Sequence, residues 1–271
     1  MRHCVVAFGI LGIAALAHGQ DSWADQIIDY DPGSNPPPGY TDPSTSLGEP
    51  TRFTGVASGF PGAVTPFNSP FEMNELVSIG EGGSLTVAFD EPVINDAANP
   101  FGIDLLIFGN AFYWDNDWPN GNAGALASEG GVVEVSDDGQ NWFLAPGVDA
   151  DGAFPTLGYL DLPGAYSDQP GSVLSDFTRP VDPAFDATGF DFVDIVAAYS
   201  GSGGGVGIDI GALGLSQISF VRITNPIGSG FTPEIDAFAD VSAIPAPGPM
   251  LMLTVFASLA RGRRSRREQL V

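Results

Sequence analysis

The sequence predicts an all-β fold, an antiparallel β-sandwich with long loops and at most one or two short helices. Three observations carry this expectation. Apolar runs of strand length, several of them alternating with polar residues, recur from residue 24 to residue 242. Clusters of Gly, Pro, Asp and Asn separate the runs, in a chain with 36 Gly and 23 Pro among its 271 residues. No repeat at a fixed period is present, which argues against a propeller or a β-helix.

An early strand is expected near Gln26–Tyr30, after which the Pro- and Gly-rich stretch to residue 50 runs over the surface. The clearest strands are Glu75–Ile79, Ser84–Phe89, Ile103–Phe108, Val132–Ser136, Asn141–Ala145, Ile218–Thr224 and Ile235–Val241. Within Ser84–Phe89, Leu85, Val87 and Phe89 share one face. Within Ile218–Thr224, Ile218, Phe220, Arg222 and Thr224 share a face, and Val221 and Ile223 take the other. Ser136–Trp142 reads as a tight hairpin, since Asp138-Gly139 supplies the positive φ such a turn requires. Apolar residues at 192, 193, 195, 196 and 199 make Phe190–Tyr199 the one helix candidate, stopped by Gly201. Pro146–Gly189 lacks a strand pattern and is expected to be a long ordered loop of the same domain. Many short strands with Gly/Pro turns imply two packed sheets or a barrel, here one domain over residues 20–243.

Charge and composition exclude several chemistries. All nine basic residues are Arg, and five of them lie within residues 261–267. Cys4, His3 and His18, the only Cys and His, all fall in the first 18 residues. Residues 20–244 therefore hold Arg52, Arg179 and Arg222 against 32 carboxylates. Such a body cannot build a Ser-His or Cys-His triad, a thiol redox couple or a His/Cys zinc site. It also repels nucleic acid, whose binding needs Lys and Arg to neutralise phosphates. With 44% apolar residues and 19 Phe, the chain can nonetheless form a core.

Both ends read as processing segments. Arg2 and His3 lead into the apolar run Cys4–Leu16, followed by small residues with cleavage favoured after Ala17 or Gly19. This is a secretory signal over residues 1–19. At the other end, Ile244-Pro245-Ala246-Pro247-Gly248-Pro249 precedes the apolar stretch 250–260 and then the Arg cluster 261–267. Eleven helical residues rise only ~16 Å, about half of a bilayer's hydrocarbon core. The Arg cluster would hold this end on the cytoplasmic side. A Pro motif, a short apolar segment and terminal arginines, in that order, resemble the PEP-CTERM sorting signal, with Ala246 where that family has Glu. The resemblance implies export, transient anchoring in the inner membrane through residues 250–260, and processing near the Pro motif by an exosortase. A plain tail anchor is the competing reading.

Several stretches of the body are similar to exported proteins of PEP-CTERM-bearing bacteria, planctomycetes in particular. They include Pro38–Pro43 with Leu47–Pro50, Val77–Leu85, Asp104–Phe112, Val133–Ser136, and Phe220–Thr224 with Glu234–Phe238. That similarity implies a cell-surface or extracellular-matrix protein whose biochemical activity is unassigned. The hairpin Glu134–Phe143 and the closing Glu-Ile strand also resemble the galactose-binding-like jelly roll of carbohydrate-binding modules, which makes the expected sandwich jelly-roll-like.

The segment between Phe108 and Val132 is the strongest candidate site. Tyr113, Trp114 and Trp118 offer rings that stack on a pyranose, while Asp115 and Asp117 among interleaved Asn residues offer acceptors for its hydroxyls. The competing reading has the tryptophans folding the loop back onto the sandwich. Calcium is the natural metal for a body with oxygen ligands only. Asp115-Asn116-Asp117 and Asp149-Ala150-Asp151-Gly152 offer alternating oxygens, but neither completes an EF-hand loop. Jelly-roll modules carry a structural calcium between an N-terminal loop and the last strand, and that resemblance places Asp42 opposite Glu234 with Asp236 nearby. Solvated turn aspartates are the alternative. Gly201–Gly207 lacks the Lys of a phosphate loop and reads as a flexible turn. Arg179 and Arg222 are each expected to pair with an Asp inside the fold. No carboxylate pair sits in a recognisable catalytic motif. The expected function is a non-catalytic surface or matrix protein that associates with polysaccharide, directly or through calcium. A carbohydrate-processing hydrolase using an Asp/Glu pair is the alternative.

Overall fold

The computed structural model describes residues 22–241, so the expected secretory signal and sorting segment lie outside the described residues. The strands in the first half are β1 (Gln26–Asp31), β2 (Phe53–Thr54), β3 (Gly62–Ala63), β4 (Val77–Ser78), β5 (Ser84–Ile94), β6 (Leu105–Gly109) and β7 (Phe112–Asp115). The second half adds β8 (Ala123–Ala127), β9 (Gly130–Ser136), β10 (Phe143–Asp151), β11 (Val206–Ile208), β12 (Gln217–Thr224) and β13 (Glu234–Asp240), with one helix, α1 (Phe192–Tyr199). A five-stranded sheet in the order β1-β5-β12-β9-β10 faces a four-stranded sheet in the order β11-β6-β13-β4. Every strand pair is antiparallel, and the chain crosses between the sheets from β5 to β6 and from β12 to β13. This is the expected β-sandwich. Its core lies between the sheets, where Leu85, Val87, Val135, Val221 and Ile223 meet Val77, Ile107, Ile235 and Phe238.

β6 is buried on both faces, which explains its unbroken apolar run Leu105-Leu106-Ile107-Phe108. Leu105 and Ile107 enter the core between the sheets. Leu106 and Phe108 pack outward with Ala237, Ala239 and Phe177, and the Phe108 and Phe177 rings meet edge-on at 5.2 Å. Phe177 belongs to the long segment after β10, which is ordered as expected, although the loop begins later than expected because residues 146–151 extend β10. That segment builds a further apolar cluster with β7, β8 and α1, around Phe67, Leu157, Val181, Phe192, Ile195 and Tyr199.

Four expectations are corrected. Ile218 is buried with Val221 and Ile223, not on the face of Phe220 and Arg222. A register shift against β5 between Ile218 and Phe220 reverses the alternation. The β9–β10 turn is not a two-residue hairpin: Gly139 has φ +69°, while Asp138 does not take positive φ. The turn is organised instead by the Asp138 carboxylate, which accepts from the Gln140 and Asn141 amides at 2.8 Å each. The glycine run near 203 is no free turn either, because Ser202–Val206 are buried. A Cβ on Gly203 would come within 2.0 Å of the Phe177 ring. Finally, Arg222 pairs with Glu134 rather than an Asp, at 2.8 Å across the β12–β9 ladder and 4.0 Å from the Trp142 ring centroid. Arg179 is exposed and makes no ion pair among the described residues.

Candidate functional site

The segment read as a loop after Phe108 is a hairpin, β7 paired with β8. Asp115 closes it. Its carboxylate accepts from the amides of Asp117 and Asn122 at 2.9 Å and of Gly121 at 3.0 Å. Burial pushes the Asp115 carboxyl up, but these amides and the Tyr166 hydroxyl outweigh it and hold it below the usual value. Asp117 is exposed and accepts from the Asn120 side chain at 3.2 Å. The hairpin is then tied to the start of α1. The Phe192 amide donates to the Gly121 carbonyl at 2.7 Å, and Asn122 donates to Asp191 at 2.9 Å.

The three predicted aromatics separate. Trp114 and Trp118 are 60% and 74% exposed, so neither folds back onto the sandwich. Trp114 has the Phe112 ring edge-on at 5.1 Å, and Trp118 has Tyr166 at 6.5 Å. Tyr113, on the alternate side of β7, is 8% exposed and packs 6.3 Å from Phe67. Burial, and next the charge of Asp186, push its hydroxyl up to about 12. Tyr113 thus leaves the exposed tryptophans and lines a cleft of about 510 Å³ behind the hairpin. That cleft is bounded by the end of β10, the 180–188 segment and the start of β11.

The three carboxylates named for calcium are each engaged by protein donors. Asp42 caps the 3-10 turn Pro43–Ser46, accepting from the Ser44 hydroxyl at 2.6 Å and amide at 3.0 Å, bonds that lower its pKa. Asp236 is buried against Thr51, whose amide and hydroxyl donate at 2.8 and 2.9 Å, and burial pushes its carboxyl up to about 7. Glu234 accepts from the Ser78 hydroxyl at 2.7 Å and from the Asn110 amide group. Among the described residues, no three or more Asp, Glu, His or Cys are grouped to hold a metal ion.

A different carboxylate group was invisible in the sequence. Asp151, at the end of β10, is buried and accepts from the amides of Ala111 at 2.9 Å and Glu234 at 3.3 Å. Burial, with the charges of Glu129 and Glu234 behind it, pushes its carboxyl up to about 8. Glu129 and Glu234 are raised as well, by burial first and, for Glu129, by Glu234 next. The Asp149–Gly152 stretch signalled oxygens at this place, but nothing local foretold that β13 brings Glu234 to it.

Compared with models of protein families and with curated proteins, the chain matches none. Chemically, the hairpin presents two exposed indoles on a backbone held at both ends. The carboxylate group offers one fully buried acid, Asp151, that burial raises to about 8, beside two half-buried glutamates raised in the same direction. The cleft offers rings, hydroxyls and carboxylates with no cation.

Proposed function

We propose that this chain is an exported, non-catalytic protein of the cell surface or extracellular matrix that associates with polysaccharide. One observation carries the reading: Trp114 and Trp118 stand exposed on a hairpin that Asp115 and the start of α1 hold rigid. Large exposed indoles on ordered backbone are a binding feature, since they leave apolar area in water without closing any core. Sugar rings suit them, because a pyranose presents an apolar face to stack and hydroxyls for neighbouring carboxylates and amides. The expected secretory and sorting segments support a location outside the cell, where polysaccharide is found. Calcium bridging is the second route by which so acidic a body meets an anionic matrix.

A glycan array with and without calcium, on wild type and on a Trp114→Ala/Trp118→Ala double variant, tests the reading. Each lost stacking ring weakens binding by ~1–3 kcal/mol. Binding that the double variant leaves unchanged removes the hairpin, and binding that appears only with calcium transfers the role to the cation.

The enzyme alternative rests on Glu129 and Glu234. Both carboxyls are held above the ordinary value in one half-buried group, the environment of a general acid. Release of reducing ends from a polysaccharide by the wild type, lost in Glu129→Gln, would make the chain a hydrolase.

A further inference from the structure

The cleft behind the hairpin has features that a packing defect does not explain. Its volume of about 510 Å³ falls within the ~300–1,000 Å³ of small-molecule sites. Tyr113, Phe154 and Phe185 contribute rings to its wall. Phe154 takes φ +58°, a left-handed backbone that is rare for a bulky side chain. The Gly205 amide holds it there, donating to the Phe154 carbonyl at 2.7 Å, and its ring stands edge-on to Tyr199 at 6.5 Å. The Phe154 ring packs against the apolar cluster around Tyr199 and also forms part of the cleft wall. Of the glycines along the cleft, Gly147 has open space where a Cβ would stand, while Gly205 and Gly207 are glycine because Phe108 and Ile103 pack against them.

The charges of the cleft define what it accepts. Asp149 and Asp186 line it together with the Ser128 and Thr188 hydroxyls, and no Arg does. Arg52 is engaged by Glu49 and lies 3.9 Å from the Phe177 ring centroid, Arg222 is engaged by Glu134 and Trp142, and Arg179, exposed next to the lining residue Pro180, is not itself part of the wall. Ionised carboxylates only accept hydrogen bonds, so they select hydroxyl donors. A uronate or sulfate group would meet them without a counter-charge.

We infer that this cleft binds a short stretch of an uncharged polysaccharide, stacked on Phe154 and Phe185 and hydrogen-bonded through its hydroxyls to Asp149 and Asp186. The inference rests on the polysaccharide reading above and assigns its sugar class. Isothermal titration of the protein with cellohexaose, maltohexaose, mannohexaose and xylohexaose, against hexagalacturonate and hexalysine, tests it. At least one neutral hexasaccharide binds, and hexagalacturonate and hexalysine bind at least tenfold more weakly. Phe154→Gly lowers the neutral affinity at least tenfold at a temperature below its own unfolding midpoint, where the relieved left-handed backbone offsets part of the lost packing on Tyr199. Asp186→Asn, which retains the Asp186 oxygen that accepts from the Thr188 amide at 2.9 Å, lowers it several-fold. Neutral binding that survives Phe154→Gly and Asp186→Asn but falls in Trp114→Ala/Trp118→Ala overturns the cleft and leaves the hairpin. Equal or tighter binding of hexagalacturonate or hexalysine overturns the neutral class. No saccharide binding at all overturns both.

Discussion

Asp115 shows how one side chain shapes the surface around it. Three backbone amides, two of them six and seven residues downstream, converge on its carboxylate. Replacing it with Ala leaves those amides to partial solvation and costs about 1–2 kcal/mol. Chemical unfolding should show that loss, and Asp117→Ala, at an exposed position with one long side-chain bond, should change little. Tyr113 carries the opposite lesson. It shares a sequence cluster with Trp114 and Trp118, yet β7 alternates, so one ring goes inward and its neighbour outward. A list of aromatic residues cannot tell a shared surface from two sides of a strand. The strand was itself hard to read, because Phe112–Asp115 has no apolar–polar alternation and β8 is Ala123-Gly124-Ala125-Leu126-Ala127, small residues with little β-propensity.

The link between the β7–β8 hairpin and α1 depends on Gly121. It takes φ +81°, and a Cβ there would lie 2.6 Å from the Ala165 Cβ and 3.1 Å from the Phe192 Cβ. Gly121→Ala should therefore destabilise the protein by ~1–3 kcal/mol through overpacking and backbone strain. Hydrogen exchange should show the hairpin amides losing protection before those of β5 and β12; uniform loss across the sandwich contradicts a local link. β5, β6, β9, β12 and β13 were legible because each has a face or a run committed to the core, Leu85-x-Val87-x-Phe89 being the clearest. The bulge that reverses Ile218 was not, because its cause lies in the register with β5. The Glu129–Asp151–Glu234 group was hidden for a similar reason, since its members meet only once β10 and β13 are in place.

Across the molecule, buried acids set the response to pH. Burial raises Asp151 to about 8, Asp236 to about 7 and Asp240 to about 6, all from 3.8. The native state keeps these protons to higher pH than the unfolded chain, so it binds more protons and loses stability as pH rises. Their contribution is full below about pH 4 and is lost progressively up to about pH 8. The melting temperature should fall across that window, and Asp236→Asn should flatten the fall; a rise toward pH 8 contradicts it. Processing has its own readout, because the mature protein should lack residues 261–267 by intact mass, and a form retaining them indicates a tail anchor. The proposal of polysaccharide association is tested most directly by co-sedimentation with the insoluble polysaccharide of the native envelope. Wild type should pellet with it and Trp114→Ala/Trp118→Ala should stay largely in solution, with no sugar released. A wild type that stays in solution, or that releases reducing ends, contradicts it, and equal pelleting of the two proteins removes the hairpin from it.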